Sequence, residues 1–106
     1  MKRITSQAQF DELRKHGIRK HTRSFDLVFC PCSLEDDFGL AIIISKKVAN
    51  AVKRNKIKRW IRNFAHANNA LFSNKINYLV ISKNGIFEYG RDNIYKDLIK
   101  VLDSIE

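Results

Sequence analysis

The segment Asn50–Phe64, NAVKRNKIKRWIRNF, constrains the chain most, because its periodicity leaves one choice of secondary structure. Ile57, Trp60, Ile61 and Phe64 recur at intervals of three and four, and at a helical turn of about 100° per residue all lie within about 60° of Ile57. Lys58, Arg62, Asn55 and Arg59 spread from about 100° to about 200° on the same wheel. One side of the helix packs and the other is wet and cationic. Asn50 is a good N-cap, and the helix is expected to run to about Ala67, before Asn68-Asn69. Val52 falls off the apolar stripe, so either the first turn packs elsewhere or the helix starts later than Asn50.

The charge on this helix is not balanced locally. From Ser45 to Phe64 there are eight Lys or Arg and no Asp or Glu, whereas a helix that only needs solubility usually places Glu four residues from Lys. The imbalance extends from Phe38 to Phe87, with ten basic residues and no acid, while the two flanks together hold ten basic and eleven acidic residues. The net charge of +9 is therefore concentrated in the middle of the chain. Nucleic acid is the first expectation for the missing anion, because its phosphates are dense and each contact releases counterions; an anionic membrane or an acidic protein comes second.

Other constellations point away from protein-borne chemistry. His16, His21 and His66 are scattered without a carboxylate or second ligand at useful spacing, Asp36 and Asp37 sit in a polar turn, and there is no glycine-rich phosphate loop. Cys30 and Cys32 in C-P-C spacing have no second Cys or His pair to complete a zinc site and are read as reduced thiols. No apolar run approaches the roughly 18 residues that span a bilayer. The opening MKRITSQAQF has no apolar core after its basic start, so a cytoplasmic location is expected. With 106 residues, residues 1–106 are expected to form a single domain, read with the charge as nucleic-acid-binding.

The scaffold can be sketched from pattern. TSQAQFDELRKHG predicts a first helix, with Ser6 and Gln9 as a capping box, Phe10 and Leu13 on the apolar side and Gly17 just past the end. FDLVFCP, FGLAIIIS and NYLVIS read as strands, with IRKHT as a short edge strand. DNIYKDLIKVLDSI, capped by Asp92, repeats apolar residues at helical spacing and predicts a terminal helix. The expected class is α+β, a two-layer sandwich with a mostly antiparallel sheet of three to four strands and three helices.

ISKKVANAVKRNKIKRWIRNF, Ile44 to Phe64, resembles the signature of the bacterial ribonuclease P protein family, in which Ser-Lys-Lys leads through Gly-Asn-Ala-Val to an Arg-Asn-Arg helix followed by Lys-Arg and a further Arg. FDELRKHG before RSFDLVF, and NYLVISKNG before a terminal helix, extend the resemblance over nearly the whole chain. It implies a ribosomal-protein-like sandwich with a left-handed β-α-β crossover containing the basic helix. It also implies a role in assisting a catalytic RNA that removes the 5′ leader of precursor tRNA, with one protein per RNA, no membrane partner and no catalytic protein side chain. Magnesium is then expected to be bound mainly by the RNA, with no cofactor or metal intrinsic to the protein.

Carried over by position, the resemblance implies RNA contacts at Arg54, Asn55 and Lys56, continuing through Lys58, Arg59 and Arg62, with Lys46, Lys47, Asn50 and Lys53 around the helix start. Lys56 stands where the family has Arg, which keeps the charge but loses the planar fork. Ala41 and Ala49 stand where Gly is frequent, so Ala49 should not need a positive φ. Along Phe25–Cys30, alternation puts Phe25, Leu27 and Phe29 in the core and leaves Val28 on the open face, with Phe10 and Arg14 near it. These three are the candidates for a leader cleft. Phe10 is equally explained as part of a buried helix face, and Arg14 could stack through its guanidinium plane. A structural or ribosomal RNA-binding protein would share the fold and charge without requiring the Arg-Asn-Lys-x-Lys-Arg-x-x-Arg register. A membrane-surface protein would need the Trp60 face that the sheet requires.

Overall fold

The computed structural model describes residues 1–31 and 37–105. Its elements are β1 (Lys2–Arg3), α1 (Gln7–His16), β2 (Ile18–His21), β3 (Phe25–Cys30), β4 (Gly39–Ile43), α2 (Ala51–Ala67), a 3-10 turn (Asn69–Leu71), β5 (Asn77–Ser82), α3 (Ile86–Tyr89) and α4 (Arg91–Asp103). The strands form one sheet in the order β1-β4-β5-β3-β2. β1 runs parallel to β4 and β4 to β5, whereas β3 is antiparallel to both β5 and β2.

The sheet therefore has five strands and is mixed rather than mostly antiparallel. β3 and β4 follow one another in sequence but are not partners, because β5 arrives through the β4-α2-β5 connection and inserts between them. β1 is two residues long, too short to leave a hydrophobic period. The segment after β5 holds a short further helix, α3, beyond the three expected from sequence.

Helices cover both faces of the sheet, so the two-layer expectation also changes. On one face Phe25, Leu27, Phe29, Tyr78 and Val80 pack against Ile57, Ile61 and Phe64 of α2 and Ile94 and Leu98 of α4. On the other, Leu13 of α1 packs with Val28, Cys30, Ala41 and Leu79. The alternation along β3 is as expected, but all six of its residues are buried: α1 lies over Val28 and Cys30 on the second face, and Asp26 is held by Arg19, His21 and Lys83. Phe72 stacks on Phe38 at 4.4 Å between ring centroids and meets Tyr78 edge-on at 5.1 Å, closing the end of the larger core.

Capping differs from expectation in three places. Ser6 occupies the N-cap of α1 but its side chain makes no capping bond, and Gln7 instead donates to Asp11 at 3.0 Å. Gly17 has φ −71°, so it is not there for a left-handed turn. A Cβ at Gly17 would lie 2.2 Å from the Leu13 carbonyl oxygen and 2.4 Å from Val28 Cγ1, so glycine lets α1 descend onto β3. α4 starts from Gly90, which places Asp92 in the first turn, where its charge opposes the positive end of the helix dipole.

α2 matches its expected span. The Asn50 side chain accepts from the Lys53 backbone N–H at 2.9 Å, and Asn68 Nδ2 donates to the Phe64 carbonyl at the other end. Val52 is 67% exposed in the first turn of this intact helix, so it needs neither a later start nor a separate packing partner. Ala49 has no positive φ; among the described non-glycine residues only Lys75 does.

Candidate nucleic-acid interface

α2 sorts its cations by what holds them. Arg54 Nη1 donates to the Ala49 carbonyl at 2.9 Å, which ties the first turn to the segment leading into it. Lys53 lies 3.6 Å from Glu88 Oε1 and 5.0 Å from the centre of the Phe87 ring, which itself stacks on Trp60. One cation of the acid-free stretch thus finds an acid on α3, one residue beyond that stretch. Lys46, Lys47, Asn50, Asn55, Lys56 and Arg59 are exposed, and Lys58 is half-buried. These positions lie along the helix and the turn before it, and Lys46, Lys47, Lys56, Lys58 and Arg59 among them carry positive charge.

Arg62 is different. It is half-buried at a cavity of about 220 Å³ lined by Arg3, Thr5, Phe10, Ala41 and Ile42, where β1 ends and the edge of β4 is open. Burial and then the neighbouring Arg3 charge push the Arg62 guanidinium below its ordinary pKa. Among the described residues neither guanidinium has a carboxylate partner. Two uncompensated cations beside a half-buried phenyl ring make a site suited to a base and its phosphate.

The three cleft candidates therefore separate. Phe10 lies in the cavity with Arg62, and Arg14 is exposed on α1. Val28 is 5% exposed beneath α1, so it is not on an open face and contributes packing. Sequence parity alone could not show that a helix would cover this side.

A second cationic group was not expected from the sequence. Asp26 accepts from Arg19 Nη1 at 3.0 Å and from Lys83 Nζ at 3.1 Å, and lies 2.7 Å from His21 Nδ1. His21 thus does have a carboxylate partner, across the β2–β3 pairing rather than along a helix. Burial pushes the Asp26 carboxyl up, but the hydrogen bonds from His21 and Lys83 and their charges outweigh it and hold the group below its usual range. The sequence signal was one acid inside an otherwise apolar strand, FDLVFC. Among the described residues no cluster of His, Cys, Asp or Glu is arranged to hold a metal ion, and no helix is long and apolar enough to cross a membrane.

Comparison with known proteins agrees with this architecture. The family model described as Ribonuclease P matches residues 1–106. The ribonuclease P protein component of Syntrophus aciditrophicus is 37% identical over 82 residues, covering 76% of this chain and 67% of the relative. That of Shouchella clausii is 31% identical over 103 residues, covering 97% and 81%. The solved RNase P protein of Staphylococcus aureus superposes with a TM-score of 0.87 at 30% identity, covering 100% of this chain and 96% of that one. The chain belongs to the ribonuclease P protein family, and its role is that of the protein component in this tRNA-processing ribonucleoprotein endoribonuclease.

Proposed function

We propose that α2 and the turn before it dock on the catalytic RNA, while the Phe10–Arg62 cavity takes the 5′ leader of precursor tRNA. The cavity carries this reading: Arg3 and Arg62 face it without an acid among the described residues, and Phe10 offers a ring surface beside them. A base on Phe10 with its phosphate between the two guanidinium groups satisfies both demands. Exposed Lys46, Lys47, Asn50, Asn55, Lys56 and Arg59, together with Arg54 and Lys58, then supply phosphate contacts to the catalytic RNA. Lys53 takes part less, since Glu88 competes for it. Arg14 extends the leader path along α1.

In this reading the RNA performs the hydrolysis. Magnesium is held mainly by the RNA, because the cationic surface of the protein repels it, and the protein screens phosphate repulsion and positions the leader. One protein serves one RNA, in the cytoplasm, and the β4-α2-β5 crossover is left-handed as in the family. The test is reconstitution with a bacterial ribonuclease P RNA and cleavage of precursor tRNA at low magnesium. The protein should stimulate cleavage and, freed of RNA, leave the precursor uncut. Absence of stimulation by folded protein would defeat the reading.

A further inference from the structure

Ile57, Ile61 and Phe64 fill the core beneath α2, and Trp60 is left half-buried at its edge. On the helix Trp60 lies about 200° from Arg62, so the two residues stand on opposite flanks of α2. Arg62 borders the Phe10 cavity, whereas Trp60 meets α3 and α4. There the surface opens into a cavity of about 430 Å³ lined by Trp60, Tyr89, Gly90, Arg91, Asp92 and Asn93.

Both aromatic walls are held in place. The Trp60 ring stacks on Phe87 at 5.5 Å between centroids, and the Trp60 carbonyl accepts from the Tyr95 hydroxyl at 2.7 Å. Tyr89 has the Arg23 guanidinium 5.4 Å from its ring centre and donates from its hydroxyl to Asp97 at 3.4 Å. Rings fixed before a ligand arrives reduce the ordering cost of stacking on it. The polar rim is of mixed sign. Arg91 Nε donates to Asp92 Oδ1 at 3.4 Å, and Asn93 Nδ2 is spent on the Tyr89 carbonyl at 2.7 Å, leaving Asn93 Oδ1 to accept. A carboxylate beside the rings disfavours a phosphate inside the cavity and favours the N–H edge of a base. Lys56 stands exposed one turn before Trp60, so a phosphate held on α2 and a base stacked on Trp60 are neighbours.

We infer that this cavity takes an unpaired guanine of the catalytic RNA. The inference rests on reading α2 as the docking surface for that RNA, with which the cavity is continuous through Lys56. The cavity assigned to the leader is on the other flank of α2, so the occupant belongs to the catalytic RNA rather than to the precursor. The rings of Trp60 and Tyr89 suit any unpaired base. Asp92 and Asn93 add acceptors, and guanine alone among the RNA bases presents adjacent N–H donors on its Watson–Crick edge. Arg91, engaged with Asp92 through Nε only, keeps its other donors for the phosphate of the same nucleotide.

Trp60 is the only tryptophan of the chain, so its fluorescence reads the cavity directly. Titration with a bacterial ribonuclease P RNA should quench the emission and shield it from acrylamide. In filter binding, Trp60→Leu should lower affinity for that RNA about tenfold, the scale of one stacked base. The salt slope should not change, because no phosphate contact is lost. Trp60→Phe keeps a ring and should recover most of the loss. Asp92→Asn makes the protein more cationic and should nonetheless weaken binding several-fold, whereas Asp103→Asn, the same charge change at the exposed end of α4, should not. The Asp92 side chain is 83% exposed, so its variant keeps the test decisive if Trp60→Leu fails to fold. Unquenched emission at saturating RNA, unchanged affinity of a folded Trp60→Leu, or equal behaviour of the two Asp variants would overturn the site. A salt slope that does not respond to Lys56→Ala/Arg59→Ala would instead overturn the docking of α2 on which the site rests.

Discussion

α2 and the Asp26 group both gather positive charge, by opposite means. Along α2, Lys56 and Arg59 stand on an exposed face and neither has an acid partner among the described residues, so each is free to find a phosphate wherever one is presented. Around Asp26, the cations are fixed by a carboxylate whose side chain is 12% exposed. The first arrangement favours long-range attraction and tolerance of shape; the second gives up some charge for position. The same residue types are therefore presented openly in one region and held in place in the other.

The largest effect that would sharpen this contrast is at Asp26. Asp26→Ala should cost about 1.5–3 kcal/mol in urea unfolding, because charge-assisted bonds are lost at a buried position. Glu88→Ala, which frees Lys53 of α2, should stay within about 0.5 kcal/mol. If the two variants melt alike, the Asp26 group is only another surface ion pair.

Next in size is Val28→Tyr. The side chain faces Gly17 beneath α1, so overpacking should cost about 1–3 kcal/mol by the same measurement. A variant as stable as wild type would mean that α1 lifts from the sheet readily.

Acid titration separates the regions again. The folded pKa of Asp26 is lowered, so its contribution is complete above the unfolded value near 3.8 and is lost as pH falls through the lower folded value. The stability gap between wild type and Asp26→Asn should thus be largest near neutrality and close in strong acid. Lys56→Ala/Arg59→Ala should show no such pH dependence there. A gap that widens on acidification would contradict the lowered carboxyl.

The smallest change in stability, and the clearest in binding, belongs to α2. Lys56→Ala/Arg59→Ala should stay within about 0.5 kcal/mol of wild type in unfolding. It should nevertheless flatten the salt slope of RNA binding by about 0.7–0.9 per lost phosphate contact. A folded double variant with an unchanged slope would remove α2 from the interface.

What could be read in the sequence follows the range of the interactions. α2 was legible from Asn50 to Ala67 because its cap and its stripe at Ile57, Ile61 and Phe64 are local. The core parity of Phe25, Leu27 and Phe29 was legible for the same reason. Val28 was misplaced because its burial depends on where α1 lands, and that depends on the space left by Gly17. The pairing of Arg3 with Arg62 and of Asp26 with Lys83 joins residues far apart in the chain, so no spacing rule reaches them. The strand order was hidden likewise, since β5 has to travel past α2 before it meets β3 and β4.

The central place of β5 also orders the events of synthesis. β2 and β3 pair locally as soon as both exist, but β4 has only the two-residue β1 as a partner until residues 77–82 have been made. Until then β3 and β4 each present an unpaired edge, and a nascent chain in this state is exposed to association with other chains. Completion of the sheet is thereby postponed until β5 itself has been made. The basic segment that precedes β5 leaves the ribosome first, and its own positive charge works against premature clustering with identical neighbours.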